Sequence, residues 1–339
     1  MKKSLVIINN EKCKKVGSNF FCENIEISTL SKSLSNFFNV SLFVRKGNIH
    51  PVHKISLKNI YICKNLFSFF LLFKNLLNKK TNFLIISITP FTLVSYFFLM
   101  FFTNRIFLYL RSHGDQEFRF IIGKYSIWFY KICLFIMSLR TKLICVNNKI
   151  VKKKSFFLIS PSQLNNRWFL KRKLGINKKK INLLYFGRIK KEKGIYSLIN
   201  IYKNINLDFK SCLNIVGAGE KINFQSSIIN INPPLSKTSE IINLYDNNQI
   251  LILPSFTEGH PQVMLEALAR LRPVIIFDEI KHIKKNYYGV FISKRNSKSL
   301  KRTILNIVSN YNNIQSKIKL NKFPTHSDFI KKFVKILSI

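Results

Sequence analysis

Glu258 and Glu266 are separated by seven residues in ILILPSFTEGHPQVMLEALA, which spans residues 250–269. The segment reads as a buried strand, a Pro254-Ser255 turn, and then Glu258-Gly259 entering a helix with Pro261 near its first turn. Glu266 stands among Val263, Met264, Leu265, Ala267, Leu268 and Ala269. A bare carboxylate there is costly unless hydroxyl or amide groups meet it. A ligand with vicinal hydroxyls would supply them. A reading without a ligand also fits: Glu266 pairs with Arg270 on the same helix face, and Glu258 caps the helix.

LLYFGRIKKEKG, residues 183–194, reads as a strand ending at Gly187, where the backbone can turn sharply, followed by Arg188 and then Lys193-Gly194. Two cations at the C-terminal edge of a strand can bind a diphosphate. With 56 Lys and Arg in the chain, a lone cation says little. Its position after a strand and a glycine turn is what singles it out. LNIVGAGE, residues 213–220, is another buried strand, running into Gly217-Ala218-Gly219. It falls short of a full G-x-G-x-x-G and marks backbone that something approaches closely.

In this order and at these separations, the three segments resemble the nucleotide-sugar domain of glycosyltransferase family 4 (glycosyl transferases group 1), a retaining family of GT-B fold, over about residues 183–293. The resemblance implies that Arg188 and Lys193 hold a donor diphosphate while Glu258 and Glu266 contact the donor's sugar and ribose. Gly187, Gly217, Gly219 and Gly259 would line that site. Fixed cations suit such a reaction, because a departing nucleoside diphosphate develops negative charge. No D-x-D occurs in the sequence. The usual metal-chelating pair is therefore missing, Arg188 and Lys193 offer a metal-free replacement, and no cofactor is expected beyond the nucleoside-diphosphate sugar used as substrate.

The N-terminal half matches more loosely, through the glycine turn Val16-Gly17-Ser18-Asn19 and the pair His113-Gly114. By the resemblance Gly17 would approach the donor, and His113 would contact the transferred sugar or polarise the acceptor hydroxyl. His113 as an uninvolved loop residue is the alternative. Three departures stand out. The first loop has one glycine where the family commonly has a pair, and Leu271 replaces the glycine that commonly ends the Glu266 helix. Asp278-Glu279-Ile280-Lys281-His282 replaces a Gly-Gly loop. A side chain in a left-handed helix cap costs about 1 kcal/mol.

Positioning these residues takes two α/β domains. A chain of 339 residues, 47% hydrophobic, exceeds one ordinary core. Strands are expected at residues 4–9, 40–44, 106–110 and 142–146, with a helix over 25–38, and again at 182–186, 213–216, 250–253 and 274–277. The fold class is α/β, two Rossmann-like parallel-sheet domains facing a cleft. The boundary falls near 155–178, where the chain turns basic and polar. This gives an N-terminal acceptor domain over 1–165, a C-terminal nucleotide-sugar domain over 166–322, and a helix over 323–339 that can cross back.

Residues 83–102 carry no charge and form one potential membrane span, with a further apolar run at 66–77. Thr89-Pro90 interrupts the former, so strand, turn and buried helix are expected instead. The apolar run at 5–8 is too short for a signal-peptide core. Six cysteines without a C-x-x-C pair indicate neither zinc nor a disulfide framework and suit a reducing cytoplasm.

A net charge of +41 implies a polyanionic neighbour, although the abundance of Asn, Ile, Phe and Lys is also what an AT-rich genome would impose. A nucleic-acid-binding protein and an integral membrane protein are the rival classes. The aromatics sit mostly inside apolar runs and no nucleic-acid motif appears, so no nucleic acid is expected. By resemblance, the chain moves a sugar, hexose-like, from a nucleoside-diphosphate donor to a glycan or lipid-linked acceptor. The setting would be cell-surface polysaccharide assembly (lipopolysaccharide, O-antigen or capsule). The expected location is the cytoplasm, peripheral on the inner face of the cell membrane, held by an anionic lipid surface.

Overall fold

The run at residues 5–8 is apolar without interruption because the strand it belongs to has neighbours on both edges and helices on both faces. In a computed structural model of the chain, that strand is β1 (Ser4–Val16). The structure describes residues 2–49, 53–65, 80–112, 114–148, 150–151, 155–220, 226–284 and 287–339. They form two units, Met1–Pro161 with Ser327–Ile339, and Ser162–His326.

In the first unit β1 pairs in parallel with β3 (Asn39–Lys46) and β6 (Asn82–Ile86), Leu5 lying opposite Val40 on one side and Asn82 on the other. β5 (Asn59–Cys63) joins outside β3, while β7 (Ile106–Leu110), β8 (Lys142–Cys145) and β9 (Phe157–Leu158) follow β6, all in parallel. A period of two sorts the side chains. Leu5, Ile7, Leu42, Leu84 and Ile86 pack with α1 (Ile25–Leu34) and with α10 (His326–Leu337), the last helix of the chain. Val6, Ile8, Phe43, Phe83 and Ile85 pack with α2 (Pro90–Leu99) and α4 (Ser126–Ser138), α3 (Gly114–Ile121) lying between these in sequence. The carboxamide of Asn82 donates to the Leu337 carbonyl at 2.7 Å.

β1 runs seven residues beyond the expected 4–9. Past Ile8 its register against β3 shifts, and residues 13–16 turn back antiparallel against β2 (Asn19–Cys22), to which β4 (His53–Ile55) adds. This extension is partly exposed, so it tolerates the charges at Glu11, Lys12, Lys14 and Lys15 that interrupt the apolar run. Gly17, at φ +59°, turns this hairpin. α1 ends at Leu34 rather than 38.

Residues 83–102 resolve as β6, a turn and α2. Thr89 and Thr92 cap α2 reciprocally, each backbone N–H meeting the other's hydroxyl, with Pro90 in the first turn. Among the described residues no helix is long and apolar enough to cross a membrane. The run at 66–77 lies outside the described residues.

The second unit has six parallel strands: β10 (Lys180–Phe186), β11 (Lys210–Val216), β12 (Ile229–Asn232), β13 (Ile250–Leu253), β14 (Val274–Phe277) and β15 (Val290–Ser293). Their spatial order, β12-β11-β10-β13-β14-β15, is the Rossmann 3-2-1-4-5-6. Around them lie α5 (Ile195–Lys203), α6 (Thr238–Asn247), α7 (Gln262–Ala269), α8 (Ser297–Ser309) and α9 (Tyr311–Ile318). The strand order reverses between β10 and β13, and the loops leaving those two strands open the crevice where such sheets take ligands. The unit's first and last residues are tied together, His326 Nδ1 donating to the Ser162 carbonyl at 3.0 Å.

α7 closes in a Schellman turn. Arg272 N–H reaches the Ala267 carbonyl at 2.8 Å and Leu271 N–H the Leu268 carbonyl at 2.9 Å, with Leu271 at φ +61°. The left-handed position that favours glycine is thus held by leucine, whose side chain is 1% exposed. Emptying such a buried site costs about 2–5 kcal/mol, more than the roughly 1–2 kcal/mol of left-handed strain. Leu271→Gly and Leu271→Ala are both expected to lower the urea midpoint. The glycine variant should be no less stable than the alanine variant, because it alone relieves the strain. An alanine variant more stable by the usual helical margin would contradict this geometry.

Candidate functional site

The loops after β10, β11 and β13 are fastened to one another by backbone. Gly187 N–H donates to the Val216 carbonyl at 3.0 Å, Ile189 N–H to Ala218 at 2.8 Å, and Phe256 N–H to Glu192 at 3.1 Å. A Cβ on Gly217 would lie 1.7 Å from the Gly187 carbonyl oxygen, and one on Gly219 2.2 Å from that of Ile189. The close approach that the glycines at 217 and 219 signalled in the sequence is therefore that of the neighbouring loop. Gly194, at φ +68°, begins α5 with its α-carbon against Pro254, leaving 2.0 Å for a Cβ.

This stitching brings Lys193 to Glu258. The ammonium donates to Glu258 Oε1 at 2.7 Å, and Ser255 Oγ donates to the same oxygen at 2.8 Å. Both charged side chains are largely covered, 21% and 14% exposed. Glu258 is thus a partner of the cation rather than a helix cap. α7 starts after Pro261 without a side-chain cap. His282, in the segment that replaces the family's Gly-Gly loop, donates from Nε2 to the Glu258 carbonyl at 2.8 Å. Gly259 is buried beside it.

Arg188 stands at the same strand edge. Its carbonyl accepts from the Tyr185 hydroxyl, while its guanidinium is exposed and makes no hydrogen bond or ion pair among the described residues. A cation left in this state is available to an anion.

Glu266 is 8% exposed and accepts from the Tyr245 hydroxyl at 2.9 Å; the Tyr245 ring meets Phe186 edge-on, one residue before Gly187. The expected alternative, a Glu266–Arg270 pair, is not what forms. Arg270 is 1% exposed and holds Asp246 by two bonds of 3.0 and 2.7 Å. Its remaining donors serve the carbonyls of Trp168, Leu170 and Lys171. With its donors committed elsewhere, Arg270 leaves Glu266 a neutral phenol as partner. Burial pushes the Glu266 carboxyl up to about 7 from 4.5, the Tyr245 hydrogen bond pulling the other way.

Sequence reasoning missed Tyr245, His282 and Arg295. Arg295 holds its guanidinium carbon over the rings of Phe256 and Phe277, 4.1 and 4.5 Å from their centroids, and its Nε donates to Glu279 at 2.7 Å. It props the Ser255–Glu258 loop. In so basic a chain nothing in its sequence context marked it.

In the first unit the strand order reverses between β1 and β6. At that edge Asn9 is 3% exposed, with an Nδ2 that meets no hydrogen-bond partner among the described residues. Ser87, immediately after β6, sits at φ +64°, a strained position for a non-glycine residue. Neither was anticipated. Arg111, after β7, pairs with Glu26 at 3.3 Å. His113 lies outside the described residues. Gly17, on the hairpin, is eight residues beyond Asn9.

Residues 166–322 match the sequence family Glycosyl transferases group 1. They form a glycosyltransferase domain. This domain contains Arg188, Lys193, Glu258, Glu266 and all the glycines placed around them. The N,N'-diacetylbacillosaminyl-diphospho-undecaprenol alpha-1,3-N-acetylgalactosaminyltransferase of Campylobacter jejuni is 28% identical over 179 residues, 50% of this chain and 46% of that protein. The match thus spans about half the length of this curated relative. Among solved structures, the sucrose-phosphate synthase of Thermosynechococcus elongatus superposes with a TM-score of 0.71 at 14% identity, covering 99% of this chain and 98% of that one. The Anabaena protein HepE in complex with UDP-glucose does so with a TM-score of 0.70 at 12% identity, covering 99% of each. The fold is GT-B, with two parallel-sheet α/β units.

Glu266 allows a check on the glycosyltransferase domain that needs no ligand. Its folded-state carboxyl binds a proton more tightly than the unfolded one. The extra stability is therefore complete below pH 4.5 and lost as pH rises toward 7, by on the order of 3 kcal/mol. Urea unfolding of the wild type between about pH 5 and about pH 7 is expected to show this downward component. Glu266→Gln should flatten it, whereas an unchanged slope would mean that Glu266 is not the buried acid.

Proposed function

We propose that the chain is a retaining glycosyltransferase that transfers a sugar from a nucleoside-diphosphate donor to a glycan or lipid-linked acceptor in cell-surface polysaccharide assembly. The observation that carries the reading is the pairing of Lys193 with Glu258 beside the unengaged Arg188 guanidinium, where the β10–β13 reversal opens the sheet. Two cations there meet a diphosphate and stabilise the charge that develops as it leaves, which is what a metal ion would otherwise supply. The reaction proceeds without a metal cofactor in this reading. Glu258, released from Lys193 as phosphate takes its place, turns to the sugar hydroxyls. Glu266 accepts from the ribose.

The retaining outcome and family 4 membership rest on the order and spacing of the three segments. The polysaccharide setting is supported by the Campylobacter relative, which is named for transfer to a sugar carried on diphospho-undecaprenol. The acceptor is assigned to the first unit, where the unpartnered Asn9 Nδ2 and strained Ser87 mark the β1–β6 reversal. His113 remains the proposed contact for the transferred sugar, and Gly17 for the donor.

A thermal-shift screen with UDP, GDP, ADP and their common sugars should give one donor that raises the melting temperature with concentration. With that donor, Arg188→Ala and Glu258→Ala should each lower the transfer rate by about 10²–10³-fold with the circular dichroism spectrum unchanged. Wild-type rates in either would sink the assignment.

Asn9→Ala separates the two units' roles. It deletes the unsatisfied Nδ2 together with the Oδ1 that accepts from the Glu11 N–H at 2.6 Å, so the two effects oppose and stability should change by only about 1 kcal/mol, while the acceptor KM climbs and the donor-induced shift stays the same. An unchanged acceptor KM would remove Asn9 from the site.

A further inference from the structure

α4, SIWFYKICLFIMS, is apolar but for Lys131 and its two terminal serines, yet it buries only one stripe, Tyr130, Cys133 and Met137. Trp128, Phe135 and Leu139 lie seven and four residues apart, which on a 3.6-residue helix superposes them opposite the buried stripe. They are 72%, 66% and 62% exposed, and Tyr125 at the start of the helix is 92% exposed. The patch continues onto the end of α2. Tyr96 donates to the Ile136 carbonyl at 2.9 Å and Arg140 to the Met100 carbonyl at 2.8 Å, which ties the end of α4 to the end of α2, where Phe101 and Phe102 are exposed. Exposed aromatics gathered in one patch, rather than scattered singly, mark a surface meant to be covered.

The charge around this patch identifies what covers it. Residues 118–142 contain Arg119, Lys124, Lys131, Arg140 and Lys142 and no acidic residue. A symmetric second copy would set these cations against themselves. A nucleic-acid backbone would meet the cations but leave Trp128, Phe135, Leu139 and Phe101 uncovered. An anionic bilayer satisfies both, because indole and phenyl rings settle at the headgroup boundary while lysine and arginine reach the phosphates. At 13 residues α4 is about 20 Å long, too short to span a hydrocarbon core but suited to lying along one.

We propose that α4, with the aromatic end of α2, docks the chain onto the interface of an anionic phospholipid bilayer. The face is complete without a donor or acceptor, so it stands or falls independently of the catalytic reading.

Full-length protein is floated with phosphatidylglycerol-containing vesicles and with pure phosphatidylcholine vesicles. Binding is expected to the former, weakening as salt rises. The chain has two tryptophans, and Trp168 is buried, so a blue shift of emission on adding anionic vesicles reports Trp128 entering the interface. Trp128→Ser with Phe135→Ser should cut the partition coefficient at least tenfold. Lys124→Glu with Lys131→Glu should do the same and remove most of the salt dependence. All four positions are exposed, so the urea midpoint serves as the folding control. Absence of binding to anionic vesicles would overturn the proposal. Binding that the aromatic variant leaves unchanged, or that duplex DNA displaces without any emission shift, would place the attraction in charge elsewhere. A concentration-dependent dimer dissolved by Trp128→Ser and Phe135→Ser would give the face to a second copy and equally end the proposal.

Discussion

The C-terminal edge of the second sheet depends on two backbone approaches that no side chain would allow. Gly217 lies against the Gly187 carbonyl and Gly194 against that of Pro254, where a Cβ would sit at 1.7 and 2.0 Å. These contacts draw the loops after β10, β11 and β13 into one assembly, and only then do Lys193 and Glu258, 65 residues apart in sequence, come within 2.7 Å. Rigid placement matters because a cation meant for a diphosphate helps most when it is already in position. Arg295, over the rings of Phe256 and Phe277 and with a donor 3.4 Å from the Ser255 carbonyl, supports the same loop.

The sheets were legible where apolar runs end at glycine or proline. Residues 182–186, 213–216, 250–253 and 274–277 all fall within strands, and the Thr89-Pro90 break in 83–102 separates a strand from a helix. The extension of β1 was not legible, because a partly exposed hairpin admits the same charged residues that a loop does. Within the second unit, the sequence placed Arg188, Lys193 and Glu258 on strand-end loops of one Rossmann sheet. It could not show that Lys193 and Glu258 bond to each other.

Partner choice across long separations explains the remaining misreading. Arg270 is four residues from Glu266 on one helix, and local spacing favours their pairing. Asp246, 24 residues upstream, wins by offering two bonds in a dry site, and three carbonyls take the other donors. Glu266 is left to Tyr245 and keeps a carboxyl that titrates near neutrality. The leucine at 271 follows a similar logic: an anchor in the core outweighs the glycine its backbone angle favours.

The last helix has a bearing on how the chain is made. α10 packs in the same layer as α1, against β1 and β6, so the first unit is assembled from two segments, 1–161 and 327–339, with the second unit inserted between them. During synthesis the second unit is continuous and can close as soon as it has emerged. The first must wait with the surface destined for Phe329, Ile330 and Phe333 uncovered until α10 has been made. The bond between His326 and Ser162, which pins the entry and exit of the insertion together, shortens the search that follows, since α10 then begins beside the point where its own sheet left off.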